Sequence, residues 1–322
     1  MTTPCFCYSG QDYEDCCLVF HMGKSPETAL QLMRSRYSAY AMNNADYIIA
    51  TTHPANPQYS DNLFNWKRGI LKRFSKDTLF KQLDIHDFQE KGTMATVTFT
   101  AHIHEGDHDD TFTEKSIFQK IKNKWYYLSG KLEHGNVPEL FPVDPFNSLP
   151  LAYYGNPVLR KKAEPIGTIT EDVKKLVEEM ISTMDVHGGM GLAAPQVNHS
   201  LRLFVIRQPI GTDRENLTFG AIKVFINPRI VPKKEIWKGT EGCLSIPAVR
   251  MSVDRPKEIT VEYTNLDGLL VTEHVSGWEA KVILHEFDHI EGILFIDHLN
   301  KGDKDLLAPF LISLEKRMKK IH

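Results

Sequence analysis

The sequence predicts an α+β fold arranged in two domains, and three observations carry that expectation. Helical periodicity followed by a strand-rich run fills the first part of the chain, the order expected of an α+β domain with a curved sheet. Pro138, Pro142, Pro145 and Pro150 then crowd a short stretch with Gly135, Asn147 and Ser148, a density that blocks both helix and sheet interior. Beyond it, helix, strand and hairpin patterns begin again and share no motif with the first part. The expected boundaries are a cysteine-rich segment at residues 1–24, an α+β domain at 25–132, a semi-rigid linker at 133–148 and a second α+β domain at 149–322.

Composition excludes several classes. A chain of 322 residues can bury two cores. With a net charge of −3, nothing in the composition suggests a general nucleic-acid binder or a membrane-surface protein. No apolar run reaches the roughly 18 residues of a membrane span, and Met1 to Gly10 lacks the basic start and apolar core of a secretion signal. Four of the five cysteines crowd the N-terminus and Cys243 stands alone. That distribution fits metal and catalytic roles in a reducing cytosol better than a disulfide framework, so a cytoplasmic location is expected.

Cys5-Phe6-Cys7 and Cys16-Cys17 bring four thiols into one short loop, with Ser9-Gly10 permitting the turn. Adjacent cysteines are poorly placed to bridge each other, whereas four thiolates around one tetrahedral Zn(2+) would fold so small a segment. His21 is an alternative ligand. In spacing and in its Ser-Gly, the run resembles the SEC-C zinc motif of the SecA translocase. A helix is expected next, capped by Ser25-Pro26, with Ala29, Leu32, Met33 and Tyr37 on its apolar face. Arg34 and Arg36 lie on that helix, either binding an anion or forming an exposed or ion-paired face. SEC-C motif, arginine-bearing helix and Thr52-His53-Pro54 together resemble small bacterial proteins that pair SEC-C with a fold like nuclear transport factor 2. The resemblance covers about the first 130 residues and implies docking to a ribosome or secretion partner.

Ala95 to His104 and Lys115 to Leu128 read as strands around a polar turn, Glu105 to Asp110. His102, His104 and His108 either hold a metal or line a solvated turn, the second being expected.

In the second domain, Thr168 and Glu171 suggest a capping box, and Val173, Leu176, Val177, Met180, Ile181 and Met184 an apolar helical face ended by Gly188-Gly189. The loop Gly189-Met190-Gly191-Leu192-Ala193-Ala194-Pro195-Gln196 lets backbone approach a ligand and ends on an amide, or is a structural turn. Strands are expected at Leu203 to Arg207 and Val224 to Asn227. Glu241-Gly242-Cys243-Leu244-Ser245 follows, in which Cys243 is either a small buried hydrophobe or a ligand. Glu258 to Tyr263 and Leu269 to Val275 form a hairpin at Asp267-Gly268.

His285-Glu286-Phe287-Asp288-His289 then places two imidazoles on one helical face, with Glu286 beside any water between them. The alternative is a buried helix whose histidines only hydrogen-bond. Leu306 to Met318 forms a last amphipathic helix. The glycine loop to Gln196, Glu241 to Ser245 and His285 to His289, standing in this order, closely resemble the peptide deformylases. The match runs from about Leu149 and includes Tyr154-Gly155-Asn156-Pro157 near its start.

The resemblance makes Cys243, His285 and His289 metal ligands, Glu286 the acid/base, and the Gln196 amide and Leu244 N–H the oxyanion donors. It implies Fe(2+), with zinc, nickel or cobalt also compatible, and nascent formyl-methionyl polypeptides as substrate. Met190 and Trp278 would line the methionine pocket, beside Gly189 and Gly191. Two positions depart from the family's habit: Leu284 where glutamine is common, and Gly188 where an acid is frequent. A zinc endopeptidase would share His285 to His289 but not the cysteine ligand or the glycine loop. A binding protein with a silent deformylase half would leave a complete catalytic set unused.

Overall fold

A computed structural model describes residues 3–73, 78–138, 147–211 and 217–321. The chain divides between Phe146 and Asn147 into two units. In the first, the cysteine loop leads through α1 (Leu18–His21) to α2 (Ala29–Ala41), α3 (Ala45–Ala50) and α4 (Leu63–Arg73). The cap of α2 is Thr28, not Ser25: Thr28 accepts from the Gln31 N–H and Gln31 answers with its own side chain. The reciprocal bond satisfies two otherwise orphaned donors, which Ser25-Pro26 does not offer.

Four strands, β1 (Thr78–Lys91), β2 (Met94–Glu105), β4 (Phe112–Ile121) and β5 (Lys124–His134), pair antiparallel in chain order, with the short β3 (His108–Asp109) on β2. Two bulges in β1 and one between β4 and β5 break the register, and such bulges bend a sheet. Ala95, Val97, Phe99, Ala101 and Ile103 form one face of β2 and share a core with Leu32, Met33 and Tyr37 of α2.

The expected strand Lys115 to Leu128 is in fact two, turned at Lys122 and Asn123, both with positive φ. β5 reaches His134, and the Val137 N–H donates to Thr113, which carries ordered structure a few residues past position 132. Pro142 and Pro145 of the expected linker lie outside the described residues. The three histidines pair with carboxylates: His102 with Asp84, His104 with Asp109 and His108 with Asp110.

In the second unit α5 (Glu171–Val186) is capped by Thr170, two residues later than expected. A mixed-length antiparallel sheet follows: β6 (Gly191–Ala193), β7 (Leu203–Ile210), β8 (Thr218–Pro232), β11 (Glu258–Thr264) and β12 (Leu270–Ser276), in the order β12-β11-β8-β7-β6. Between β8 and β11 the hairpin of β9 (Ile236–Cys243) and β10 (Ile246–Pro256) stands as its own two-stranded sheet.

α6 (Gly277–Ile290) lays Ala280, Ile283, Leu284 and Ile290 on Phe204, Ile206, Phe225, Ile259 and Val261. It stops before Gly292, whose φ of +77° admits only a residue without a Cβ, because a Cβ there would meet the Arg160 carbonyl at 2.9 Å. α7 (Lys301–Ile321) closes the chain. No helix among the described residues is long and apolar enough to cross a membrane.

Candidate metal centres

α6 and the β9–β10 hairpin assemble the first centre. Cys243 is the last residue of β9, and His285 and His289 sit one turn apart on α6. Their ligand atoms lie within 4.8 Å of one another, and the Cys243 Sγ is 3.3 Å from His289 Nε2. His285 turns its Nδ1 to Glu241, at 2.8 Å, which leaves Nε2 for the shared point. Burial opposes a charge on Cys243, but the two histidines hold its thiol well below the usual range. A thiol shifted toward its thiolate and two imidazoles are a donor set of the kind that transition-metal sites with one open position use.

Gln196 and the two loops beside this point are held by named partners. The Gln196 Oε1 accepts from the Ala193 N–H at 2.9 Å, so its NH2 faces Cys243 Sγ at 3.5 Å and Ser245 Oγ at 3.3 Å. The preceding chain holds both loops: the Ala152 N–H donates to the Gln196 carbonyl and the Tyr154 N–H to that of Ser245. Leu244 forms the turn of the hairpin directly after Cys243.

Glu286 is buried, and its Oε2 has no hydrogen-bond partner among the described residues. Burial raises its carboxyl pKa to about 7, against the pull of the two histidines. Gly191 makes room for it, since a Cβ at that position would sit 2.5 Å from Glu286 Oε1. Gly189 lies against Leu244, with 3.0 Å left for a Cβ, and Met190 packs on the core beside α6. Trp278 meets Trp237 edge-on at 5.1 Å, and Lys281 Nζ lies 4.8 Å over its ring. Leu284 joins the apolar core, and Gly188 has a φ of +64° at the end of α5, a turn requirement that accounts for glycine there.

Sequence reasoning missed the buried ion network behind His285. Glu241 binds the Arg255 guanidinium through both oxygens, at 2.9 and 3.0 Å. Arg255 also donates to Asp288 at 2.5 Å, and Asp288 meets His298 Nε2 at 2.7 Å. Burial works against the charge on Glu241, yet His285 and Arg255 hold its carboxyl well below the usual range. A carboxylate on the outer ring nitrogen fixes the tautomer and orientation of a ligand histidine. The signal available in sequence was Glu241 two residues before Cys243, and Asp288 inside the His285 to His289 motif.

The second centre is the N-terminal loop, where Cys5, Cys7, Cys16 and Cys17 bring their sulfurs within 4.8 Å. Cys7 Sγ lies 3.5 Å from Cys16, which in turn lies 3.8 Å from Cys17. Hydrogen bonds from Cys17 and Cys5 hold the Cys7 thiol well below its usual range, whereas burial pushes Cys16 up to about 11. Crowded thiols of this kind ionise together only around a cation. His21 is not a fifth candidate: Nδ1 meets Tyr13 Oη and Nε2 the Ser35 carbonyl, each at 2.9 Å.

Neither arginine of α2 takes the role expected of it. Arg34 donates to the Cys7 carbonyl at 2.7 Å. Arg36 is buried, bonded to Ile48 O, Thr51 and Thr52, and stacked over Tyr127.

Residues 148–305 match the family model of polypeptide deformylase, and residues 28–130 that of the YchJ middle NTF2-like domain. A peptide deformylase of Cytophaga hutchinsonii is 44% identical over 168 residues, covering 52% of this chain and 90% of its own. That of Thermotoga maritima is 40% identical over 170 residues, covering 52% of this chain and 96% of its own. The crystal structure of the Thermus thermophilus peptide deformylase is 37% identical and covers 54% of this chain and 99% of that one, with a TM-score of 0.48. These sequence matches establish that the chain belongs to the peptide deformylase family, with an NTF2-like domain of the YchJ type ahead of the deformylase part.

Proposed function

We propose that Cys243, His285, Glu286, His289, Gln196 and Leu244 form the machinery by which this peptide deformylase hydrolyses the N-formyl group of formyl-methionyl nascent polypeptides, releasing formate. One observation supports it above the rest: a buried, unpartnered Glu286 carboxylate beside three convergent ligand atoms. The first three ligands on this reading are Cys243, His285 and His289, and Fe(2+) is the ion proposed for them. An ion held by Cys243, His285 and His289 would supply Lewis acidity toward the formyl oxygen and the attacking water.

The chain's own residues do the remaining work. Glu286, with a pKa near neutrality, accepts the proton of the attacking water and hands it to the departing amine. That transfer is required because an amide nitrogen anion is too basic to leave unprotonated. The Gln196 NH2, aimed by the Ala193 N–H on its other end, donates to the oxygen where negative charge grows. The Leu244 N–H is assigned as its partner donor. Gly191 keeps the carboxylate at close range, and Gly189 and Met190 border the substrate's methionine. Trp278 is assigned to that pocket on the resemblance to the peptide deformylases.

Zn(2+) is the ion proposed for Cys5, Cys7, Cys16 and Cys17. Four protein ligands leave no position for substrate there, so its role is structural. The boundaries proposed are residues 1–24 for this module, 25–132 for the NTF2-like domain and 149–322 for the deformylase. The N-terminal half is proposed as a docking module toward the ribosome or secretion machinery, in a cytoplasmic protein.

Formate release from a short formyl-methionyl peptide, measured anaerobically with metal content, tests the catalytic reading. Rapid release with about one ion beyond the N-terminal zinc is expected. Folded, metal-loaded protein that releases no formate would refute it.

A further inference from the structure

The sequence Leu63-Phe64-Asn65-Trp66-Lys67-Arg68-Gly69-Ile70-Leu71-Lys72-Arg73 of α4 carries four cations and no acid, in a chain whose net charge is −3. None of its residues is buried. One face is used by the fold: the Trp66 ring meets that of Tyr59 at a tilt, centroids 4.8 Å apart, and Ile70 packs against the domain core. The face turned away from them holds Phe64, Arg68, Leu71 and Lys72, at helical spacings of four, three and one. Phe64 is 75% exposed and Leu71 40%. Lys67 pairs with Asp46 at 2.6 Å. Arg68 and Lys72 have no ion-pair partner among the described residues.

We propose that this face of α4 is a docking surface for RNA. Cations at Arg68 and Lys72 stand one turn apart, a spacing that meets successive phosphates of a backbone. Phe64 shares their side of the helix, where an exposed ring stacks on an unpaired base and a guanidinium adds to it. A uniformly acidic peptide would use the cations but leave Phe64 and Leu71 in water. A lipid surface requires a broad apolar face sunk below the headgroups. On α4 the larger apolar pair, Trp66 and Ile70, is already turned into the domain, and the outward apolar side chains are interrupted by charge. RNA is the partner that uses both components. A chain that processes nascent polypeptides also works where RNA is abundant.

The test is fluorescence anisotropy of a labelled RNA hairpin with a single-stranded loop, titrated with the intact metal-loaded protein between about 50 and 200 mM salt. The wild type should bind with an affinity that falls steeply with salt. R68E/K72E should weaken binding about 10- to 100-fold at the lower salt and flatten the log–log slope by about 1.5 to 2. F64S should weaken binding by about tenfold with the slope unchanged. R68Q/K72Q decides the matter if thermal melting shows that the charge reversal unfolds the domain. Absence of RNA binding by the wild type overturns the proposal, as does unchanged affinity and slope in the folded charge variants. Binding to vesicles rich in phosphatidylserine without binding to RNA overturns it in favour of a lipid partner.

Discussion

The two cysteine-bearing centres solve opposite problems with overlapping ligand chemistry. In the N-terminal loop four thiols lie within 4.8 Å of one another, on residues 5 to 17, with two pairs close in sequence. In the deformylase unit, one thiol from a hairpin and two imidazoles from a helix converge from positions more than 40 residues apart. The first set is complete by itself, and among the described residues no unpartnered acid or amide is aimed at it. The second offers three donors, and the groups beside them are a buried carboxylate with a free oxygen and an amide held by the Ala193 N–H. Closure yields a folded loop; incompleteness, with a preorganised shell around it, yields a place for chemistry.

The sharpest way to break this comparison is to remove the acid/base from the open centre. Glu286→Ala should keep all three ligands and their metal yet lose at least about 10²- to 10⁴-fold in formate release. Metal analysis and turnover on the same preparation check it, and full activity in the metal-loaded variant would remove Glu286 from the mechanism. The matching change at the closed centre is Cys16→Ser with Cys17→Ser. Metal content should drop by the N-terminal ion and the loop should become protease-sensitive, while kcat for deformylation stays within about twofold, since a filled site contributes no chemistry. A parallel collapse of kcat would show that the two centres are not separable in the way the donor sets suggest.

A smaller effect is expected one layer out. Arg255 is buried and pairs with Glu241 and Asp288 at once. Arg255→Met leaves Glu241 and Asp288 buried without their shared cation, a change that typically costs about 3–5 kcal/mol. It also loosens the Glu241 grip on His285, and outer partners of this kind are worth about 10- to 100-fold in metal affinity. Denaturant melts and competitive chelation measure the two separately. Loss of stability with unchanged metal affinity would make the network a structural one only.

The same contrast explains what was legible in the sequence. The cysteine loop and the His285 to His289 helix are local patterns, so spacing alone put their side chains together. The glycine loop was readable as a close approach, but that Gly191 makes way for Glu286 is a contact between strand and helix with no sequence trace. Arg255 reaches Glu241 although the β9–β10 register sets Arg255 opposite Trp237 and Glu241 opposite Met251, a pairing that no periodicity announces. On the first domain the helix face of α2 was readable from Leu32, Met33 and Tyr37, whereas its start was not. Ser25-Pro26 and Thr28 are both chemically acceptable caps, and only Gln31 reaching back chooses between them. The hairpin hidden in Lys115 to Leu128 has Lys122-Asn123 at its turn, a pair without glycine, and so reads as continuous strand.

Lys281 offers the finest test of how α6 is built. It lies one turn before His285, buried, with its Nζ 3.0 Å from the Thr240 carbonyl and over the rings of Trp278 and Trp237. Burial lowers its pKa to about 8, from about 10.4 in an unfolded chain. Between those two values the unfolded state binds more protons than the folded one, so this residue makes stability rise with pH. Its contribution is least favourable below about pH 8, where both states carry the charge and only the folded one carries it out of water. Lys281→Met keeps an unbranched chain against the indoles and removes the titration. The melting temperature of the wild type should therefore gain on that of the variant from pH 8 to pH 10, while the two differ by a constant amount below pH 7. A constant difference across the whole range would mean that Lys281 titrates as it would in water, and that the Trp237–Trp278 pair does not shield it.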